Sequence, residues 1–165
     1  MLNSNIKIEK MEESDWRQVK RIYEEGIATK NATFETEVPD WFSWNENHLQ
    51  TCRLVARNGK RLIGWAALSP VSERCIYNGV AEVSVYVSAP ARGKGIGKRL
   101  LNQLIEESEK SDIWTLQAGI FPENQNSIQM HKKLGFREVG YREKIGKLDD
   151  VWRDVILLER RSKII

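Results

Sequence analysis

Glu82 stands at the head of a run of alternating apolar residues, Val83, Val85 and Val87, that ends at Pro90 and passes into Arg92-x-x-Gly95-x-Gly97. Alternation of this kind reads as a strand. From Ile96 the period lengthens, and Ile96, Leu100, Leu101, Leu104 and Ile105 share one helical stripe. A strand, a turn carrying Gly93, Gly95 and Gly97, and a helix N-terminus together make an anion-binding device. Unpaired N–H groups and the positive end of the helix dipole meet there, and glycines let a ligand approach the backbone. The interleaved cations Arg92, Lys94, Lys98 and Arg99 suit one polyphosphate better than a nucleic-acid duplex. Two nucleotide signatures can be excluded. A P-loop needs Gly where Arg92 stands and Ser or Thr where Arg99 stands, and the dinucleotide fingerprint needs a third Gly where Lys98 or Leu100 stands.

The elements that must position this unit can be read in chain order. Ile6 and Ile8 alternate with charges as a first strand. Ser14-Asp15 is expected to cap a helix through Trp16, Val19, Ile22, Tyr23 and Ile27, ending near Thr29. The polar connection from Lys30 to Pro39 carries Phe34, either a binding lip with Glu35 or a plug in the core. Asp40 can cap a second helix from Trp41 to Gln50, with His48 at the surface. Arg53–Arg57 and Arg61–Ser69 read as strands around the hairpin signal Asn58-Gly59. The loop from Pro70 to Gly79 holds Arg74 and Tyr77, expected close to Glu82. After the central helix, which runs to about Lys110, come a strand at Thr115–Ile120 and a helix from Asn124 to Leu134-Gly135. Strands at Arg137–Glu143 and Val151–Leu158 follow, joined by a Gly146–Asp150 loop and trailed by a charged tail, Glu159–Lys163. The order is βααβββαβαββ, a single mixed α/β domain over residues 1–165.

Composition sets the outer bounds. A chain of 165 residues supports one core, and 41% hydrophobic with 30% charged residues is ordinary for a globular protein. A net charge of +3, with no long block of like charge, does not point to nucleic acid. Cys52 and Cys75 are in no metal-ligand spacing, and His48 and His131 are the only histidines, so no metal is expected. MLNSNIKIEK lacks the apolar stretch of a secretory leader, and the run Ile63–Leu68 is too short for a membrane span. The expected location is the cytosol.

Arg92-x-x-Gly95-x-Gly97 at the end of an acidic strand resembles the acetyl-CoA pyrophosphate loop of the GNAT N-acetyltransferase superfamily, and the element order resembles its fold. Three further segments resemble the phosphinothricin acetyltransferase branch. They are Asn31-Ala32-Thr33-Phe34-Glu35; Arg74-x-x-Tyr77-x-x-x-x-Glu82-x-Ser84-Val85-Tyr86-Val87; and Asn124-x-x-Ser127-Ile128-x-x-His131-x-x-Leu134-Gly135-Phe136, with Trp152-x-Asp154-Val155 near the end. The resemblance covers nearly the whole chain. It implies a mixed sheet splayed at the CoA-binding strand and flanked by helices. Acetyl-CoA is the implied co-substrate, held by Val85, Tyr86 and Val87 along the strand, by Arg92, Gly93, Lys94, Gly95, Ile96, Gly97 and Lys98 in the loop, and by Asn124 and Ser127. It also implies a homodimer whose interface helps to complete the site.

Acetyl transfer from a thioester needs a neutral amine, a polarised carbonyl and a thiolate that can leave. Glu82 is the candidate general base, acting through water; its other reading is a strand glutamate paired with Arg74 or a lysine. His131 occupies the position where many superfamily members carry a Tyr that protonates the thiolate, and it is read as an aid to that step or as a packed, orienting group. Asn124 is equally placed to cap its helix. Arg74 is expected to pair with a carboxylate or phosphinate, and Phe34, Glu35 and Tyr77 to wall the substrate pocket. Val80 stands where branch members commonly have Thr, so the substrate is read as a class: small amino-acid analogues such as phosphinothricin or methionine sulfoximine. Two alternatives stay open, acetylation of a protein N-terminus or lysine and a CoA-binding regulator without turnover.

Overall fold

The computed structural model describes residues 5–165; residues 1–4, the start of the stretch read as lacking a leader, lie outside the described residues. The expected order of elements is the order found: β1 (Ile6–Lys10), α1 (Trp16–Ala28), α2 (Trp41–Asn47), β2 (Leu54–Asn58), β3 (Arg61–Pro70), β4 (Val80–Val87), α3 (Ile96–Lys110), β5 (Thr115–Ile120), α4 (Gln125–Lys133), β6 (Arg137–Leu148) and β7 (Val151–Arg161). The strands form one open sheet, ordered β1-β2-β3-β4-β5-β7-β6. Its neighbours run antiparallel except β4 and β5, which are parallel. None of the described helices is long and apolar enough to cross a membrane.

Two apolar layers hold the helices on opposite faces. On one face, α1 and α2 bring Val19, Ile22 and Trp44 against Trp65 and Ala67 of β3. On the other, Ile96, Leu100, Leu101 and Leu104 of α3 and Ile128 of α4 meet Ala66, Leu68 and Leu116. The stripe read from the sequence is therefore the buried face of α3, each leucine contributing about 1.5–3 kcal/mol of transfer free energy. Gly26, a weak helix former, is required where it stands. A Cβ there would lie 2.6 Å from Cδ1 of Tyr86, so α1 rests directly on that ring.

Several boundaries differ from the sequence reading, each for a local reason. The cap of α1 lies earlier: Glu12 opens a short 3-10 turn (Glu13–Asp15), the Glu12 N–H donates to Asp15 Oδ2 (2.9 Å), and Asp15 also pairs with Arg57 (2.6 Å). Asp40 does cap α2, accepting from the Ser43 N–H at 2.8 Å, but that helix stops at Asn47. There Arg53 takes over the terminal carbonyls, donating to those of Asn45, His48 and Leu49. His48 is not a free surface residue; it stacks on Trp44 at 4.1 Å with Nδ1 on the Trp44 carbonyl. The expected Gly146–Asp150 loop contracts to Asp149-Asp150, both at positive φ, and β6 continues to Leu148. Three of the five residues of the expected charged tail are strand, since Glu159, Arg160 and Arg161 pair with Gln117, Leu116 and Thr115.

Candidate active site

β4 pairs with β3 from Ala81 to Val87 but with β5 only from Val80 to Glu82, opposite Thr115 to Gln117. Beyond Glu82 the two strands part. The Ser88 N–H donates to the Ile63 carbonyl (2.8 Å), which fixes the alternation along β4 and turns the backbone groups of Val85 and Val87 toward the gap. A free sheet edge of this kind can take an extended, amide-bearing chain as an added strand. This is the splay that the resemblance implied.

The glycine loop sits at the far end of β4. Gly93 and Gly95 adopt φ of +74° and +80°, which would cost a residue with a Cβ about 1–2 kcal/mol. In α3 the Arg99 N–H finds the Gly95 carbonyl (3.1 Å), while the N–H groups of Ile96, Gly97 and Lys98 precede the helical ladder. Arg92 Nε donates to the Val87 carbonyl at 3.1 Å, tying the loop to the strand. Arg92, Lys94 and Lys98 are exposed. Two members of the expected set behave differently: Arg99 turns away to the Ile6 carbonyl (2.9 Å), and the Ile96 side chain is core, leaving only its backbone to a ligand.

A cavity of about 520 Å³ runs through the gap. Residues of both sheet faces line it. Val85, Asn124, Ser127 and His131 lie on the α4 side, and Glu82, Gly119, Val155, Arg142 and the 31–35 segment on the other. Glu82 makes no ion pair among the described residues, so its reading as a partner of Arg74 or a lysine is not what the structure shows. Its Oε1 lies 3.6 Å from where a Gly119 Cβ would be, ordinary van der Waals contact, so Gly119 is its neighbour across the gap.

The lip is built and fastened. Phe34 meets Phe121 edge-on at 4.9 Å and abuts Gly146; it is half-buried and lines the cavity, as a lip residue does. Asn124 caps α4 through the Ser127 N–H (3.4 Å), and its Nδ2 donates to the Asn31 carbonyl (3.3 Å). Arg153 lies over the Phe121 ring at 4.0 Å and donates to the Lys30 carbonyl and to Asn31 Oδ1. The Tyr86 ring stacks on Trp65 and Tyr23 behind the cavity wall. Burial, chiefly, raises the Tyr86 hydroxyl pKa, with the Tyr23 and Glu35 charges adding to it.

His131 is 4% exposed, and its Nδ1 sits 2.7 Å from the Ser127 carbonyl. A carbonyl only accepts, so the proton is on Nδ1 and Nε2 carries the lone pair. That buried Nε2 has no partner among the described residues. Burial holds the imidazole pKa below its ordinary value against the opposing pull of the Ser127 carbonyl, so the ring is neutral near pH 7.

Arg74 and Tyr77 are not brought into the cavity. They lie on and beside an exposed 3-10 turn (Cys75–Tyr77), with the guanidinium 5.7 Å from the Tyr77 ring centre. Connecting segments carry no periodicity, and nothing in their spacing marks where they fold. Sequence reasoning missed Gln117, Phe121, Arg142 and Arg153. The first two could have been found as the cavity-facing and terminal residues of a recognised strand, whereas the last two depend on β6–β7 pairing.

A family model described as "Acetyltransferase (GNAT) family" matches residues 10–136. An L-methionine sulfoximine/L-methionine sulfone acetyltransferase of Pseudomonas aeruginosa is 26% identical over 84% of this chain and 84% of its own. A phosphinothricin acetyltransferase from Sinorhizobium meliloti, solved in complex with acetyl-CoA, superposes with a TM-score of 0.85 at 28% identity, covering 95% of this chain and 88% of that one. The structure of a ribosomal-protein-alanine N-acetyltransferase from Brucella melitensis gives 0.88 at 30% identity, over 94% and 99%. The chain belongs to the acetyltransferase (GNAT) family and is an N-acetyltransferase.

Proposed function

We propose that this enzyme transfers the acetyl group of acetyl-CoA directly to the amine of a small amino-acid-like substrate of the phosphinothricin or methionine sulfoximine type. Glu82 carries the reading: a carboxylate with no cationic partner opens on a cavity where the sheet splits. Acetyl-CoA, when bound, supplies the activated thioester. The backbone groups of Val85 and the Val87 N–H suit its amide-bearing arm, and Arg92, Lys94, Lys98 and the loop N–H groups suit its phosphates. The unpartnered Nε2 of His131 is a further acceptor on the same side.

The chain's own work begins with the amine, which is protonated near pH 7. Glu82 attracts that cation and accepts its proton through water, releasing the nucleophile. His131 is neutral with its proton committed to Ser127, so we read it as an acceptor that orients the leaving-group side. A thiol of pKa near 8.5 leaves without needing a strong acid. Glu35, Phe34 and Tyr86 shape the amine side.

A homodimer is also proposed. Val139, Tyr141, Ile145, Val151 and Trp152, all more than 40% exposed, lie on the β6–β7 hairpin, and β6 is an edge strand. Light scattering should return about twice the 19.1 kDa chain mass, and a monomer at micromolar concentration would contradict this. The second reading, a protein N-terminus as acceptor, rests on the likeness to the Brucella melitensis enzyme. Thiol release from acetyl-CoA, screened across amino-acid analogues and alanyl peptides, separates the two.

A further inference from the structure

Arg142 is the only lysine or arginine that lines the cavity among the described residues, and it makes neither ion pair nor hydrogen bond there. Strand register puts it on the substrate face. Glu82 stands opposite Gln117; Gly119, two residues on, stands opposite Leu157; and Val155, two residues back along β7, stands opposite Arg142. Side chains two apart share a face, so Glu82, Gln117, Gly119, Val155, Leu157 and Arg142 all face the same side. Arg142 lies three strand spacings across the sheet and four residues further along it, so roughly 20 Å separates the Glu82 and Arg142 backbones. A glutamate and a long, extended guanidinium reach into the same cavity from its two ends and narrow that span.

The backbone that presents Arg142 is itself built. Between the pairs Arg142–Val155 and Gly146–Arg153, β6 carries three residues where β7 carries one, Asp154. Asp154 pins this bulge by accepting from the Lys144 N–H (2.7 Å) and from the Tyr141 hydroxyl. Lys144 is at φ +46°, and Gly146 closes against Phe34. Bulges next to functional sites commonly re-aim a side chain. Here the bulge brings Ile145 and Gly146 to the cavity wall beside Arg142, which gives Asp154 a role that the sequence alone did not assign.

We propose that Arg142 is the specificity-determining residue that binds the oxyanion of a zwitterionic substrate, carboxylate or phosphinate, while Glu82 faces the amine. Arg74, the residue expected to do this, is outside the cavity. The proposal rests on the small-molecule reading above. Guanidinium offers two parallel N–H donors to such a group, and losing a charge-assisted pair typically weakens binding by about tenfold to a hundredfold.

The test compares wild type, Arg142→Ala and Asp154→Asn on three amines: methionine sulfone (carboxylate only), 3-aminopropyl(methyl)phosphinate (phosphinate only) and propylamine (neither). Arg142 is exposed, so its removal spares the core, and an unaltered acetyl-CoA-induced rise in Tm confirms the fold. Arg142→Ala should raise KM about tenfold to a hundredfold for the amine whose anion it holds, with kcat much less affected. Asp154→Asn should move KM the same way by a smaller factor. The arm that responds identifies the anion. Values of KM within threefold of wild type for both anionic amines overturn the assignment. Wild-type thiol release on alanyl peptides with none on any of these amines overturns the small-molecule reading, and Arg142's role with it.

Discussion

Glu82→Gln is expected to lower kcat by about 10²- to 10⁴-fold, the range that a positioned acid or base contributes. Glutamine keeps the size of the side chain and its place beside Gly119, so packing is preserved while the proton acceptor and the negative charge are lost. KM for the amine should rise as well, because the cation loses its attraction. Acetyl-CoA should still raise Tm as in wild type, since its expected contacts lie along Val85, Val87 and the loop. His131→Gln, which removes an acceptor and not the base, should cost about tenfold at most. A Glu82→Gln enzyme with more than half of wild-type turnover would remove Glu82 from the chemistry.

The second large effect concerns the wall behind the cavity. Trp65 is fully buried, stacked on Tyr86 at 4.8 Å and on Tyr23 at 5.4 Å, and set edge-on to Trp44 at 5.7 Å. Trp65→Ala removes the centre of that cluster at a cost of about 3–5 kcal/mol. For a chain of this size each kcal/mol moves Tm by roughly 2–4 °C, so a fall on the order of 10 °C is expected. Turnover well below the new Tm should fall too, because Tyr86 loses the ring that fixes it. Trp65→Phe should recover part of both. A Tm within about 3 °C of wild type for Trp65→Ala would show that the stack is not what orders this face.

These two positions illustrate what could and could not be read from the chain. Glu82, the β4 alternation and the α3 stripe are local patterns, with periods of two and 3.6 residues that fix which side chains face inward. All eleven elements were legible for the same reason. Trp65 could be read as part of an apolar run, but its partners come from α1, α2 and β4, and no spacing announces that meeting. Arg142 is the sharper case. It lies within a recognised strand, yet its place in the cavity depends on the register of β6 on β7 and of β7 on β5, which joins segments far apart in sequence. Arg74 fails in the opposite direction: its sequence distance from Glu82 is short, but the intervening turn carries it out of the cavity. The protonation of His131 was likewise beyond the sequence, because it is set by one carbonyl, that of Ser127, and by burial.

In the proposed function, the split between β4 and β5, with Glu82 at its apex, serves acetyl transfer to a small amino acid. The most direct measurement is thiol release from acetyl-CoA in the presence of phosphinothricin, methionine sulfoximine or methionine sulfone, with the product identified by mass spectrometry. Amine-dependent release with one acetyl group on the α-amine, exceeding release with alanyl peptides and lost in Glu82→Gln, is the predicted result. Release that no amino-acid analogue stimulates, or that only a peptide stimulates, would contradict it.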